Sequence, residues 1–327
     1  MRMKLLLLAA AVGVVLATGS LFLAQRPPPP PAEQPAPATR ARVALVMKTL
    51  TSPFFVEMEK GARRAEAELG VELLVKTAAQ ETSIEQQIAI VDQVTRDKVD
   101  AIVIAPGDSY RLIPGLKKAQ DAGIVIVNVD NVLDPQASAK AGLANVPFIS
   151  VDNKAAVYKA VKMFAEAARV PTQAAIIEGI RSASNAEDRK QGALAAFAEN
   201  RKISVVASES ANWKIDDAYD VARNMFTQHP RIRILFCGND MMALGAIRYL
   251  QESKNKSVTV IGYDALEEAR QAIAEGWLAA TVDQQAEQQG FMGVSYAVRM
   301  LKGERMPPLT LLDTAVVVAP APSMDKK

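Results

Sequence analysis

Three strand-end stretches carry most of the polar groups suited to holding a small molecule. Asp130 and Asn131 follow the apolar run 124–129, Asn239 and Asp240 follow 232–237 and Gly238, and Asp264 closes the run 258–263. A carboxylate accepts two or more hydroxyl hydrogen bonds, and such charged bonds contribute about 1.5–3 kcal/mol each. Asn239 offers a donor and an acceptor side by side, which suits neighbouring hydroxyls. The plainer role for an Asp or Asn after a strand is a turn or a helix cap; at Asn239 that cap could fall to Asp240 instead. Covalent chemistry has few candidates. His229, the one histidine, precedes Pro230 at a helix end, and Cys237, the one cysteine, falls inside an apolar strand as an inert core residue. The chain has no Gly-x-Ser-x-Gly, Walker A or Gly-x-Gly-x-x-Gly run and no His/Cys cluster for a metal. No catalytic residue, metal or cofactor is expected, and reversible binding is.

The elements that position these residues alternate. In the first half, strands 43–47, 71–76, 100–105 and 124–129 are separated by helices 53–69, 83–98 and 111–122. Ser52 and Pro53 open the first helix as N-cap and first helical residue. In the second half, strands 174–178, 204–208, 232–237 and 258–263 alternate with helices 186–200, 216–229 and 241–251. Runs apolar on both faces, separated by helices, fit parallel strands covered on each side. Leu45 pairs in order with Ile176, Ile102 with Ile234 and Ile126 with Val260, a repeat of about 130 residues. The fold class is therefore α/β, with two doubly wound parallel-sheet lobes. Ligands in such sheets collect beyond the carboxyl ends of the strands and in clefts between domains.

Composition narrows the function classes. The 327 residues are 50% hydrophobic and 23% charged, a globular balance with room for two domains. Net charge is +2, which gives no basic field for nucleic acid. Arg2 and Lys4 precede a mostly apolar run, 5–24, the layout of an export signal. Ala17-Thr18-Gly19 places cleavage before Ser20; an uncleaved run would be long enough to anchor the chain in a bilayer at roughly 20 residues. Residues 1–25 are thus a signal peptide or anchor. The Pro/Ala-rich stretch 26–41, with Pro27–Pro31 unbroken, reads as a stiff extended spacer.

Four segments together resemble the periplasmic sugar-binding proteins of the ribose- and allose-binding type. They are Lys48-Thr-Leu-Thr-Ser-Pro-Phe-Phe55, Asn239-Asp-Met-Met-Ala-Leu-Gly245, Gly262-Tyr-Asp264 and Ala280-Thr-Val-Asp-Gln284, in order behind an export signal. The resemblance spans 42–318. It is shared with LacI-type repressors, but nothing before Arg42 reads as a helix-turn-helix. It implies a type I periplasmic binding protein fold, with two lobes joined by three crossovers near 151–152, 284–285 and 312–314. One lobe would be 42–151 plus 285–312, the other 152–284 plus 313–327.

The resemblance also assigns roles. Phe54 and Phe55 would stack on the apolar face of a sugar ring, with Trp213 across the ring from the opposite lobe. Asp130, Asp264 and Asn239 would bind hydroxyls. Arg189, followed by Gly192 at the family's spacing, would hold adjacent hydroxyls or the ring oxygen with its planar fork. Its neighbours Asp188 and Lys190 would face solvent. Gln284, at a crossover, is a weaker case because residues at hinges often bond only to backbone. Three positions depart from the ribose binders. Ser52 replaces Asn and is equally explained as a pure N-cap, Lys48 replaces a small hydroxyl residue as in the allose type, and Asn131 replaces an arginine. These favour an allose-like pyranose or related polyol. Lys48 and Arg189 balance Asp130 and Asp264, so the ligand is expected to be neutral. The expected partner is an ABC permease served by a periplasmic monomer; a retained anchor would instead suit a tethered receptor feeding a sensor kinase or chemoreceptor.

Overall fold

The computed structural model describes residues 40–320. The leader, most of the Pro-rich spacer and the last residues of the tail lie outside the described residues. Among the described residues no helix is long and apolar enough to cross a membrane.

The first sheet draws on β1 (Arg42–Met47), β2 (Glu72–Thr77), β3 (Ala101–Ile104), β4 (Val125–Val129) and β5 (Phe148–Val151). Between them run α1 (Pro53–Leu69), α2 (Ile84–Arg96), α3 (Ile113–Asp121) and α4 (Pro135–Ala141). The second sheet draws on β6 (Thr172–Glu178), β7 (Ile203–Ser210), β8 (Ile232–Cys237), β9 (Thr259–Ile261) and β10 (Ala280–Asp283). Its helices are α5 (Asn153–Ala165), α6 (Ser184–Ala198), α7 (Ile215–Gln228), α8 (Asp240–Glu252) and α9 (Glu267–Ala274). The chain ends with α10 (Ala286–Leu301), β11 (Leu309–Leu312) and β12 (Ala315–Val318).

The sheet orders are β2-β1-β3-β4-β5-β11 and β7-β6-β8-β9-β10-β12, the same arrangement twice. Neighbours are parallel except β12, which runs antiparallel to β10, whereas β11 runs parallel to β5. Val43 to Met47 and Ala101 to Ile104 are fully buried, because helices cover both faces of each sheet. The chain crosses between sheets three times: after β5, between β10 and α10, and between β11 and β12. Helix α10 returns to the first sheet by packing against α1. Gly290 makes this possible, since a Cβ there would lie 1.9 Å from the carbonyl oxygen of Met58. The Arg64 guanidinium adds to the contact, 4.6 Å from the Phe291 ring centroid.

Most elements read from the pattern recur within two residues. Two differences matter for the site. Helix α6 starts at Ser184 rather than Ala186, which brings Asn185 into its first turn. Strand β9 stops at Ile261, and Gly262 to Ala265 form the loop beyond it. The pattern assigned no element to strands β5, β10, β11 and β12 or to helices α4, α5, α9 and α10.

Candidate functional site

All the strand ends that the sequence singles out open onto one cleft between the lobes. Its inner part is narrow, and side chains from both lobes close around it. The first lobe lines it with Lys48, Ser52, Phe54, Phe55, Glu81 and Asp130. The second lobe lines it with Asn185, Arg189, Trp213, Asn239, Asp264 and Gln284.

On the first wall, Lys48 and Asp130 are fixed by the ends of β1 and β4. Lys48 Nζ lies 2.8 Å from Asp130 Oδ2 and 5.4 Å from the Phe55 ring centroid. Phe54 and Phe55 meet edge to face, 5.0 Å between centroids, both nearly buried in the first turn of α1. Ser52 sits at the N-cap of α1 with an extended backbone, yet its side chain makes no capping hydrogen bond. The pure N-cap explanation of Ser52 therefore fails, and the residue remains as part of the cavity wall.

On the second wall, Arg189 is held at three points: Nε donates to Asn153 Oδ1 (2.8 Å), Nη1 to the Gly238 carbonyl (2.9 Å) and Nη2 to Gln284 Oε1 (3.3 Å). Its guanidinium lies 3.8 Å from the Tyr263 ring centroid and 3.7 Å from Asp264 Oδ1. Gln284 Nε2 donates to Asp264 Oδ1 at 2.6 Å. Gln284 thus bonds to side chains within the site, contrary to the expectation of backbone bonding alone. Asn239 caps α8, its Oδ1 accepting from Met242 N at 2.9 Å. Asp240 does not take that cap. It accepts instead from Leu266 N and the Thr281 hydroxyl, both at 2.9 Å to Oδ2, and so anchors the loop that carries Asp264. The acceptor of Asn239 is consumed by the helix, leaving its Nδ2 donors for the cavity. Asp188 is exposed as expected, whereas Lys190 is partly covered and lies 3.3 Å from the buried Glu178 carboxylate.

Three of these residues adopt backbone conformations disfavoured for non-glycine residues: Asp130 at φ 65°, Trp213 at φ 65° and Asp264 at φ 115°. Such strain persists where surrounding bonds over-determine the backbone, and it clusters at functional sites. Asp130 N donates to the Ile149 carbonyl, and Asp264 N to that of Val282, so the neighbouring strand holds each turn. Burial is the main force that pushes the Asp264 carboxyl up to about 7, against the opposing pull of Arg189 and the Gln284 hydrogen bond.

Glu81 and Asn185 line the cavity but were not singled out from the sequence. Glu81 lies on the loop between β2 and α2, and only folding brings it 3.9 Å from Lys48 Nζ. Its signal was the rule that located Asp130, a carboxyl beyond a strand's carboxyl end. The balance of two cations against two carboxylates is corrected accordingly: three carboxylates face Lys48 and Arg189. Asn185 Nδ2 reaches across the cleft to Asp130 Oδ1 at 3.3 Å. Two buried polar atoms of the second wall, Trp213 Nε1 and Asn185 Oδ1, have no hydrogen-bond partner among the described residues. Such groups are costly unless something pairs with them.

The lobes also touch directly beside the cavity. Ser109 N donates to the Ser182 carbonyl (3.0 Å), Ser184 N to Ser109 Oγ (3.1 Å) and Asn185 N to Asn131 Oδ1 (3.1 Å). Asn131 also donates to the Pro106 carbonyl at 3.1 Å. It therefore joins the lobes rather than lining the cavity. Among the described residues, no group of three His, Cys, Asp or Glu could hold a metal ion.

Residues 43–305 match the family model described as a periplasmic binding protein domain. This chain belongs to the periplasmic binding protein family. Among curated family members, it is 38% identical over 268 residues to the D-ribose/D-allose-binding protein of Pseudomonas aeruginosa, covering 81% of this chain and 83% of that one. It is 33% identical to the D-allose-binding periplasmic protein of Escherichia coli, covering 82% of this chain and 87% of the other. A crystal structure of a periplasmic ABC transporter solute-binding protein from Actinobacillus succinogenes with bound D-allose superposes with a TM-score of 0.81. It is 36% identical, with 85% of this chain and 98% of that one covered. The two-lobed α/β fold is that of the periplasmic binding proteins.

Proposed function

We propose that this protein is an exported solute receptor that captures a neutral monosaccharide of the allose or ribose type between its lobes and delivers it to an ABC permease. One observation carries the reading. Two aromatic surfaces from opposite lobes, Phe55 and Trp213, share a small cavity with hydrogen-bonding groups from both sides. A sugar ring has just that division, with apolar C–H faces and hydroxyls at its edge. The relatives named for D-ribose and D-allose support the ligand class, and Lys48, shared with the allose type, favours allose over ribose.

In this reading Asp130, Arg189, Asn239 and Asp264 bind hydroxyls, while Lys48 and Gln284 orient the two carboxylates. The bodies that close are 42–151 with 285–312 and 152–284 with 313–327, hinged at the three crossovers. The sheet assignments of β5, β10, β11 and β12 support these limits. Ligand stabilises the closed form by its differential affinity for it. The wall supplies charged and amide groups for holding hydroxyls, and Cys237, the one cysteine, is fully buried with its thiol pushed up by burial. Binding without chemistry is what this wall supports.

A thermal-shift screen of D-allose, D-ribose, other hexoses, deoxysugars and polyols tests the assignment. A rise in melting temperature with a sugar, confirmed by calorimetry, supports it. A response to an amino acid or a nucleoside, with none to any sugar, would overturn it.

A further inference from the structure

The cavity carries an uneven set of charges. Asp130 is committed to Lys48 at 2.8 Å, and Asp264 stands beside Arg189 at 3.7 Å. Glu81 is the third carboxyl, and its nearest cation, Lys48 Nζ, is 3.9 Å from Oε2, beyond hydrogen-bond length. Its side chain is only 10% exposed. The loop that bears it is fastened on both sides. Ala79 N donates to Gln86 Oε1 (2.7 Å), Thr49 Oγ1 donates to the Ala79 carbonyl (3.2 Å), and Ser83 N donates to the Gln80 carbonyl (3.0 Å). The backbone on either side of Glu81 is thus held, with its side chain lining the cavity. An unbalanced charge in an enclosed site is costly, and the usual response is to neutralise it with a proton.

We propose that Glu81 is a ligand-contacting, specificity-determining residue that works as a proton-bearing carboxyl, donating a hydrogen bond to an oxygen of the bound sugar. This rests on the sugar-binding reading above. The other side chains of the first wall offer as donors the ammonium of Lys48, already turned onto Asp130, and the hydroxyl of Ser52. A neutral carboxyl at Glu81 adds a further donor to this wall and selects for a sugar that presents an accepting oxygen to it. Burial is the largest influence on this group and pushes it up to about 7. Lys48 and Arg189 pull it down, while Asp130 and Asp264 push it further up, so the charged groups of both walls are accounted for. A sugar that completes the enclosure removes the last water from Glu81 and strengthens its hold on the proton. Binding therefore takes up a proton, and affinity declines as pH rises above about 7.

The test is calorimetry with D-allose and D-ribose as probes, in two buffers of different ionisation enthalpy, from pH 6 to pH 8.5. The wild type is expected to take up a fraction of a proton per sugar near pH 7.5 and to lose affinity towards a limit of about tenfold per pH unit for one linked proton. Glu81→Gln, whose amide donates at every pH, should flatten that decline and bind more tightly than the wild type at pH 8.5. Glu81→Ala should bind more weakly throughout. Three results overturn the proposal: no proton uptake by the wild type, a wild-type pH slope retained in Glu81→Gln, or unchanged affinity in both variants. The second would assign the proton to Asp264. A wild type that binds no sugar would instead defeat the sugar reading itself, and this proposal with it. If Glu81→Gln fails to fold, the pH slope of Glu81→Ala decides in its place: a wild-type slope retained there overturns the proposal.

Discussion

Lys48 Nζ and Asp130 Oδ2 lie 2.8 Å apart with each side chain only 3% exposed, a charge pair sealed inside the cleft wall. Asp130 holds this position at φ 65°, pinned by Ile149 through its backbone N and by the Ser150 hydroxyl through its carbonyl. Removing one member of a buried pair strands the other charge, which typically costs about 3–5 kcal/mol. Lys48→Met should therefore lower stability on that scale in urea denaturation and also abolish tight sugar binding. Adding Asp130→Asn to it should restore much of the stability and none of the binding. A Lys48→Met variant as stable as the wild type would mean that the pair is not sealed from water.

The pH dependence of stability follows from Glu81 and Asp264, both pushed up to about 7 mainly by burial. Between the ordinary carboxylate range and about pH 7, the folded chain retains protons that the unfolded chain has released. These two groups consequently favour the folded state at low pH, and that contribution is lost as pH rises through the window and levels off above it. The effect per group is at most on the order of 3–4 kcal/mol, since each tenfold weakening of an acid corresponds to about 1.4 kcal/mol. Glu81→Gln should melt higher than the ligand-free wild type at pH 8 and show little advantage at pH 4.5. Parallel melting curves across that range would count against a raised Glu81.

Gly179 sets the position of Trp213. A Cβ at Gly179 would lie 2.0 Å from the indole Cζ2, so Gly179→Ala has to displace the ring. Loss of one aromatic face from the ligand should weaken sugar binding by about tenfold, or 1.4 kcal/mol. Ligand-induced change in tryptophan fluorescence should fall with it. In a Trp213→Ala background the same glycine substitution should add nothing further; an additional loss there would place its effect elsewhere.

The direct interlobe bonds make a prediction that leaves the cavity wall intact. Ser109 and Asn131 join the second lobe at Ser182, Ser184 and Asn185 without lining the inner cavity. At about 0.5–1.5 kcal/mol per hydrogen bond, Ser109→Ala with Asn131→Ala should weaken binding by roughly tenfold through a less favourable closed state. The order of preference among sugars should stay the same, and small-angle scattering should show a more expanded ligand-free protein. A reshuffled sugar preference would instead mean that these residues shape the site.

Much of the site was legible because it follows a positional rule. Residues at carboxyl ends of parallel strands point to one side of the sheet, so Asp130, Asn239 and Asp264 could be grouped before folding. Phe54, Phe55, Trp213 and Arg189 depended on resemblance. Asn185 escaped because the helix was read two residues late, which placed it outside the first turn. Asn131 was noticed as a departure from a family pattern, but its work in joining the lobes depends on Ser109 and Asn185, each far away in the chain.

The sequence by itself determined the alternating α/β order, the repeat that makes two similar lobes, and the strand ends where a ligand would collect. Those features are written in local periodicity, which needs no long-range information. Tertiary structure alone decided which distant groups share one dielectric enclosure. It placed Glu81 beside Lys48, spent the Asn239 acceptor on a helix cap, turned Gln284 onto Asp264, and left Asp240 anchoring a loop behind the site. Charge balance and hydrogen-bond pairing are sums over neighbours in space, so one loop carboxyl was enough to change an even balance into an excess of one.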